Sequence, residues 1–223
     1  MPIDPLTVLF LTLLGGAVAV DGTSFGQFMI SRPFVAATIG GFMVGAPFHG
    51  ATIGLILEAF HLTVLPVGAA RYPEGGPAAV AGGAVYGISD VTPSALLLTV
   101  LGALLLEWVG GETVRMMRHG NVKLISDDHG PRATARGLER RHLAAVGVDF
   151  LRGMFLVAAG MLLLRGVDLF MTPLWGFGEE LPRLMIVAAV PALLASTLRM
   201  VGWRMWFAAA GAITGVSLLL LVG

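Results

Sequence analysis

Seven apolar runs follow one another along this chain: Leu6–Val20, Phe34–Val44, Ala51–Val67, Ser94–Val109, Leu143–Leu164, Leu184–Leu198 and Met205–Val222. A bilayer core about 30 Å thick is crossed by about 20 mostly apolar helical residues. Several of the runs reach or approach that length. Only 13% of the residues are charged, against about 25% in a typical soluble domain. These features predict an all-α integral membrane protein, a polytopic helical bundle. Residues 1–223 read as a single membrane domain with no room for a soluble catalytic one. Within it, 1–111 form an N-terminal half, 112–142 a polar centre and 143–223 the C-terminal helices.

The polar centre sets the expected orientation. Between Glu112 and His142 lie Arg115, Arg118, Lys123, Arg132, Arg136, Arg140 and Arg141, against Glu112, Asp127, Asp128 and Glu139. An excess of Lys and Arg in a short connection marks the cytoplasmic side, so this stretch reads as a cytoplasmic basic loop. Asp168, Glu179 and Glu180 then fall in an external connection, and Arg199 and Arg204 in a cytoplasmic turn. Trp175, Trp203 and Trp206 lie near the proposed boundaries, as an aromatic belt would. No positive charge precedes the first run, so it reads as a retained helix rather than a cleavable signal.

The N-terminal half is more broken. Gly41/Gly45 and Gly50/Gly54 have the small-xxx-small spacing that lets helix backbones approach closely. Pro33, Pro47, Pro66, Pro73 and Pro77 punctuate the same region. Short hydrophobic segments interrupted by glycine and proline point to a transporter binding site. Broken or re-entrant helices are therefore expected here.

Glu58 stands inside the apolar run Gly54–Leu65, just before the glycine- and proline-rich stretch Pro66–Pro77. A carboxylate at membrane depth is expensive and rarely faces lipid. Glu58 is either a ligand contact, suited to neighbouring sugar hydroxyls, or a structural partner for Arg32 or Arg71. His61, three residues on, shares its helix face, and it would hydrogen-bond a ligand or hold Glu58. Arg32-Pro33 suits a helix start at the interface, with a supporting role at the site as the alternative. Asp21, Thr23, Ser24 and Gln27 form either an external loop or a re-entrant segment reaching toward Glu58. Glu74, beside Pro73, is an interfacial charge or part of the site.

Several classes are excluded. The chain has no cysteine, hence no disulfide framework, thiolate metal site or cysteine nucleophile. It lacks GxxxxGK[ST], GxSxG and HExxH. No cofactor, metal site or nucleic-acid partner is expected.

The segment Arg32-Pro33, Gly41/Gly45/Gly50/Gly54, Glu58, Gly68-Ala69-Ala70 and Pro73-Glu74 resembles the membrane subunit IIC of the mannose/sorbose family of bacterial sugar phosphotransferase systems. So do Asn121, Gly137-Leu-Glu139-Arg-Arg-His142 and Asp149-Phe-Leu-Arg152-Gly153. Two positions depart from the family pattern: Gly45-Ala46 stands for Gly-Asp, and Pro73-Glu74 for Pro-Asp. The resemblance implies a transport subunit, not an enzyme, in the bacterial cytoplasmic membrane. It would move a hexose-like sugar with a IID membrane subunit in an oligomeric complex. Soluble IIA and IIB subunits would carry the phosphoryl group. Glu58 would contact the sugar, with His61, Gly68, Ala69, Pro73 and Glu74 around it and Arg32, Gln27 and Arg71 in support. Two other readings stand beside it: a non-transporting regulatory or assembly protein on the same scaffold, and a gradient-driven secondary transporter.

Overall fold

Among the described residues, proline starts four of the six helices. The computed structural model describes residues 3–61, 72–126, 135–174 and Glu180. Its helices are α1 (Pro5–Thr23), α2 (Pro33–Met43), α3 (Pro47–His61), α4 (Gly75–Ile88), α5 (Pro93–Ser126) and α6 (Ala135–Met171). Proline suits the first helical position because its missing N–H would be unpaired there anyway. Asp4 caps α1, its carboxylate accepting the N–H groups of Leu6 at 2.9 Å and Thr7 at 3.1 Å. Hydrogen bonds from the Thr7 hydroxyl and N–H hold that carboxyl below its usual range.

Only α1, α5 and α6 are long and apolar enough to cross a membrane among the described residues. The other three are short. At about 1.5 Å per residue, α2, α3 and α4 are roughly 16, 22 and 21 Å long. Phe34–Val44, too short for a straight span, is the first arm of a helical hairpin with α3. The turn between them is set by Gly45, whose φ of 79° is left-handed. Gly45 N–H bonds to Phe42 O at 3.0 Å and Ala46 N–H to Gly41 O at 2.8 Å. These are the two crossed bonds of a Schellman helix end.

The hairpin leans on α4, which is buried at every residue from Gly75 to Tyr86. Helices α1, α2, α3, α5 and α6 all contact it. Its sequence explains the arrangement. Glycine and alanine dominate Gly75–Ala84, so neighbouring backbones come close on all sides, as small residues permit in lipid. A Cβ on Gly83 would lie 2.3 Å from the backbone oxygen of Ala37, and one on Gly40 2.7 Å from that of Val80. Glu74 and Ser89, at the two ends of α4, both meet α6, so α4 runs parallel to it. Helices α1 and α5 run the opposite way.

Three boundaries differ from the sequence reading, the first being that α6 runs on to Met171, so Asp168, expected in an external connection, is helical and buried. The stretch 112–142, read as a loop, is helical on both sides: α5 continues to Ser126 and α6 begins at Ala135. Its Arg, Met, Leu and Glu residues are good helix formers, and Glu112 pairs with Arg115 one turn on at 2.8 Å. The run Ala51–Val67 is helical as Pro47–His61, and residues 62–71 lie outside those described. So do the runs Leu184–Leu198 and Met205–Val222, with Trp175, Trp203 and Trp206.

Gly83→Ala should push α2 and α4 apart, because the clash is with backbone that cannot rotate away. A loss of about 1–3 kcal/mol is expected, visible as a lower melting temperature in detergent. Gly147→Ala is the matched control. No atom lies within 4 Å of its Cβ position, so the exposed helix should hold or gain up to about 1 kcal/mol.

Candidate functional site

Arg152 is the centre of the largest polar cluster among the described residues. It comes from the apolar part of α6, and its side chain is 10% exposed. A guanidinium has five N–H donors, and here each has an acceptor. Nε bonds to Asp149 Oδ1 at 3.0 Å and Nη2 to the same oxygen at 2.7 Å. Nη2 also reaches Glu74 Oε1 at 2.5 Å, and Nη1 bonds to Glu74 Oε2 and, at 2.9 Å, to Thr113 Oγ1. Glu74 is thus clamped in the paired geometry that makes Arg–carboxylate bonds strong. Asp149, fully buried, also accepts the hydroxyls of Thr23 and Ser24 at the end of α1. One cation therefore joins α1, α5, α6 and the segment entering α4.

The loop between α1 and α2 is shaped by a third buried carboxylate. Asp21 accepts the N–H groups of Phe28 and, at 2.9 Å, Ser31. Gly26, Gln27 and Met29 take φ values of 103°, 53° and 66°. Two left-handed non-glycine residues so close together are uncommon, and the Asp21 bonds fix them. The loop sets Ser31 and Arg32 beside the start of α4.

Between these groups lies a cavity of about 130 Å³. Its polar wall is formed by Thr23, Ser31, Arg32, His61, Tyr72 and Glu74, with Pro33, Pro73, Gly75 and Gly76 also lining it. Tyr72 is held from α5: Arg118 donates to its hydroxyl at 3.0 Å and sits over its ring, 5.4 Å from the centroid. Hydroxyl, imidazole, guanidinium and carboxylate groups converge on one space at a break between helices.

The sequence candidates distribute unevenly around it. His61, Pro73, Glu74 and Arg32 line the cavity. Glu58 is not among the lining residues. It pairs with Arg32 at 2.6 Å and accepts the N–H of Phe34 at 3.2 Å. Gln27 is exposed on the loop. Thr23 and Ser24 do not form a free loop, since they bond to Asp149 in the protein interior. Gly68, Ala69 and Arg71 lie outside the described residues. Sequence reasoning did not single out Arg152, Asp149, Thr113 or Glu107 as site residues. The signal was present for Glu107 and Arg152, each a charge within an apolar run. Their pairing across helices carried no sequence signal.

Short helices packed with a mostly buried one, three helices long and apolar enough to cross a membrane, and buried ionic groups paired between segments define a helical membrane protein with a polar site. The family described as PTS system sorbose-specific IIC component matches residues 5–174. The chain belongs to that family: it is a sugar-specific IIC membrane component of a phosphotransferase system, which works with other subunits. No curated protein matches the sequence. A solved structure titled "Structure of membrane protein" is similar over 99% of this chain and 96% of its own, with a TM-score of 0.73 and 18% identity. That likeness shows the shared fold.

Removing Arg152 would leave Glu74 and Asp149 buried without their cation, at a cost of about 3–5 kcal/mol. Arg152→Gln should accordingly lower folded yield and melting temperature sharply. Arg152→Lys should rescue only part of the loss, because a single ammonium cannot make the forked contacts. Thermal melts of the detergent-solubilised variants would check the order wild type, Lys, Gln.

Proposed function

We propose that the chain binds a hexose-like sugar in the cavity at the start of α4 and moves it across the bacterial cytoplasmic membrane. It does so with a IID membrane subunit. A soluble IIB subunit, supplied through IIA, phosphorylates the sugar, so no residue of this chain carries the phosphoryl group. The observation behind this reading is the convergence of Thr23, Ser31, Arg32, His61 and Glu74 on one cavity. Hydrogen bonds to charged groups are roughly twice as strong as neutral ones. A ring of such donors and acceptors suits a ligand made mostly of hydroxyls.

Depth supports the reading. The basic ends of α5 and α6 belong on the cytoplasmic side by the Lys/Arg rule. The stretch of α6 from Arg152 to Met171 is then roughly 28 Å long at about 1.5 Å per residue, close to the hydrocarbon thickness. Arg152, Glu74 and the cavity beside them would lie near the inner boundary. A sugar held there is within reach of a cytoplasmic phosphoryl donor.

Arg32 lines the cavity and is set by Glu58. A hydrogen bond to a charged group contributes about 1.5–3 kcal/mol, and about 1.4 kcal/mol is tenfold in affinity. In vesicles holding this chain with its neighbouring IID-like and IIB-like proteins, phosphoenolpyruvate should drive formation of sugar phosphate. Arg32→Ala and Glu58→Gln should each weaken apparent sugar affinity by about tenfold or more at unchanged protein level. No sugar phosphate from any hexose, in a complex shown to be assembled, would sink the reading.

A further inference from the structure

Of the buried carboxylates outside the Arg152 cluster and the cavity wall, Glu107 reaches a residue of that wall with its side chain. Glu107 lies in the apolar run of α5 and is 2% exposed. Its main-chain oxygen accepts the N–H of Glu74 at 2.9 Å. Its side-chain Oε2 lies 3.1 Å from Nε2 of His61. No hydrogen bond forms there: His61 Nε2 has no hydrogen-bond partner, and neither has Glu107 Oε1. The imidazole rests over the start of α4, where a Cβ on Gly75 would be 2.7 Å from Cε1 and 2.8 Å from Nε2.

Glu107 therefore holds two polar residues of the cavity wall, from two different segments, without lining the cavity itself. Its two contacts differ in what they require. The main-chain bond to Glu74 would form with any residue at this position. Only the contact with His61 needs the carboxylate. Residues Leu104, Leu105 and Leu106 precede it, and a fourth leucine would avoid burying a polar group with an unpaired oxygen, which is costly. The carboxylate is explained if the orientation of His61 matters to what the cavity holds.

We propose that Glu107 is a positioning residue for ligand binding. It holds the His61 imidazole against Gly75, so that the ring meets a ligand hydroxyl in a fixed orientation. The glycine is part of the device, since any side chain there would displace the ring. The inference rests on the sugar-binding reading above.

The test uses the full chain with its partner subunits in vesicles, comparing wild type, Glu107→Gln, Glu107→Leu, His61→Ala and the Glu107→Leu/His61→Ala double variant. Glu107→Leu and His61→Ala should each raise the apparent KM for sugar about tenfold, with a smaller effect on the maximal rate. The double variant should be no worse than either single one, because both remove the same contact. Glu107→Gln, which keeps a polar group of the same shape beside the ring, should fall between wild type and Glu107→Leu. An unchanged KM in Glu107→Leu, or additive effects in the double variant, would overturn the proposal. A second measurement needs no sugar: the ¹⁵N-histidine NMR signal of His61, assigned by its loss in His61→Ala. That signal should move in both Glu107→Gln and Glu107→Leu, and a signal that stays in place would also overturn the proposal. A shifted signal in a chain whose assembled complex makes no sugar phosphate would refute the sugar-binding reading and leave the positioning of His61 standing.

Discussion

A buried guanidinium can exist at the depth of Arg152 only if its charge and all its donors are met. Two carboxylates and a threonine hydroxyl meet them, and this requirement fixes much of the structure. Asp149 comes from one turn earlier on α6, so it is supplied by helix geometry. Glu74 must be brought from elsewhere, and it sits where the chain enters α4. Thr23 and Ser24 complete Asp149 from the end of α1. Removing any one group leaves others desolvated and unpaired. The cluster therefore sets the level at which α1 ends and α4 begins, relative to α6.

The distance between helices is set by a different force. The hydrophobic effect does not drive helices together inside lipid, so contact depends on packing. The faces of α2, α3 and α4 that meet carry glycine and alanine, and their backbones touch. Gly50 and Gly83 both face the backbone oxygen of Ala37. The three short helices form a block of closely spaced backbones in which a single methyl group has nowhere to go. A cavity lies at the end of this block, where the described residues 24–32 and 72–74 are not helical, and Ser31, Arg32, Tyr72 and Glu74 from them line it.

Much of this was legible in the sequence, and the limits have physical reasons. The apolar runs gave the helical membrane class. The proline and glycine pattern gave the broken N-terminal half, but Gly45, read as one of a helix-packing pair with Gly41, instead makes the turn between α2 and α3, with no atom within 4 Å of its Cβ position. His61 and Glu74 were named as candidate site residues, and Arg32 as a supporting one. What could not be read was partnership. Arg152 and Glu74 are 78 positions apart, and a charge within an apolar run says only that it needs a partner. The same uncertainty applied to Glu58, which was read first as a ligand contact, with a pairing to Arg32 or Arg71 as the alternative. Helix continuation into the basic region was missed because charge was read as a sign of a loop, while the residues involved are good helix formers.

The two kinds of contact divide the bundle. Helix α4 is pinned to α6 by polar groups at both ends, Glu74 on Arg152 at one and Ser89 on Asp168, at 2.7 Å, at the other. Asp168 is itself held by Arg165 at 2.5 Å and Thr172 at 3.1 Å. The hairpin of α2 and α3 meets α4 through close backbone packing and the edge contact of His49 with Tyr86, ring centroids 5.7 Å apart. Directional bonds fix where α4 stands along α6, because sliding by one turn would unpair both ends at once. Packing of small residues fixes only how near the hairpin lies. The cavity lies where these two regimes meet: Glu74 belongs to the pinned side, while Arg32 and His61 belong to the packed side. Their relative placement therefore depends on the contacts that cross between them, and the side-chain contact from His61 to Glu107 on α5 is one of these.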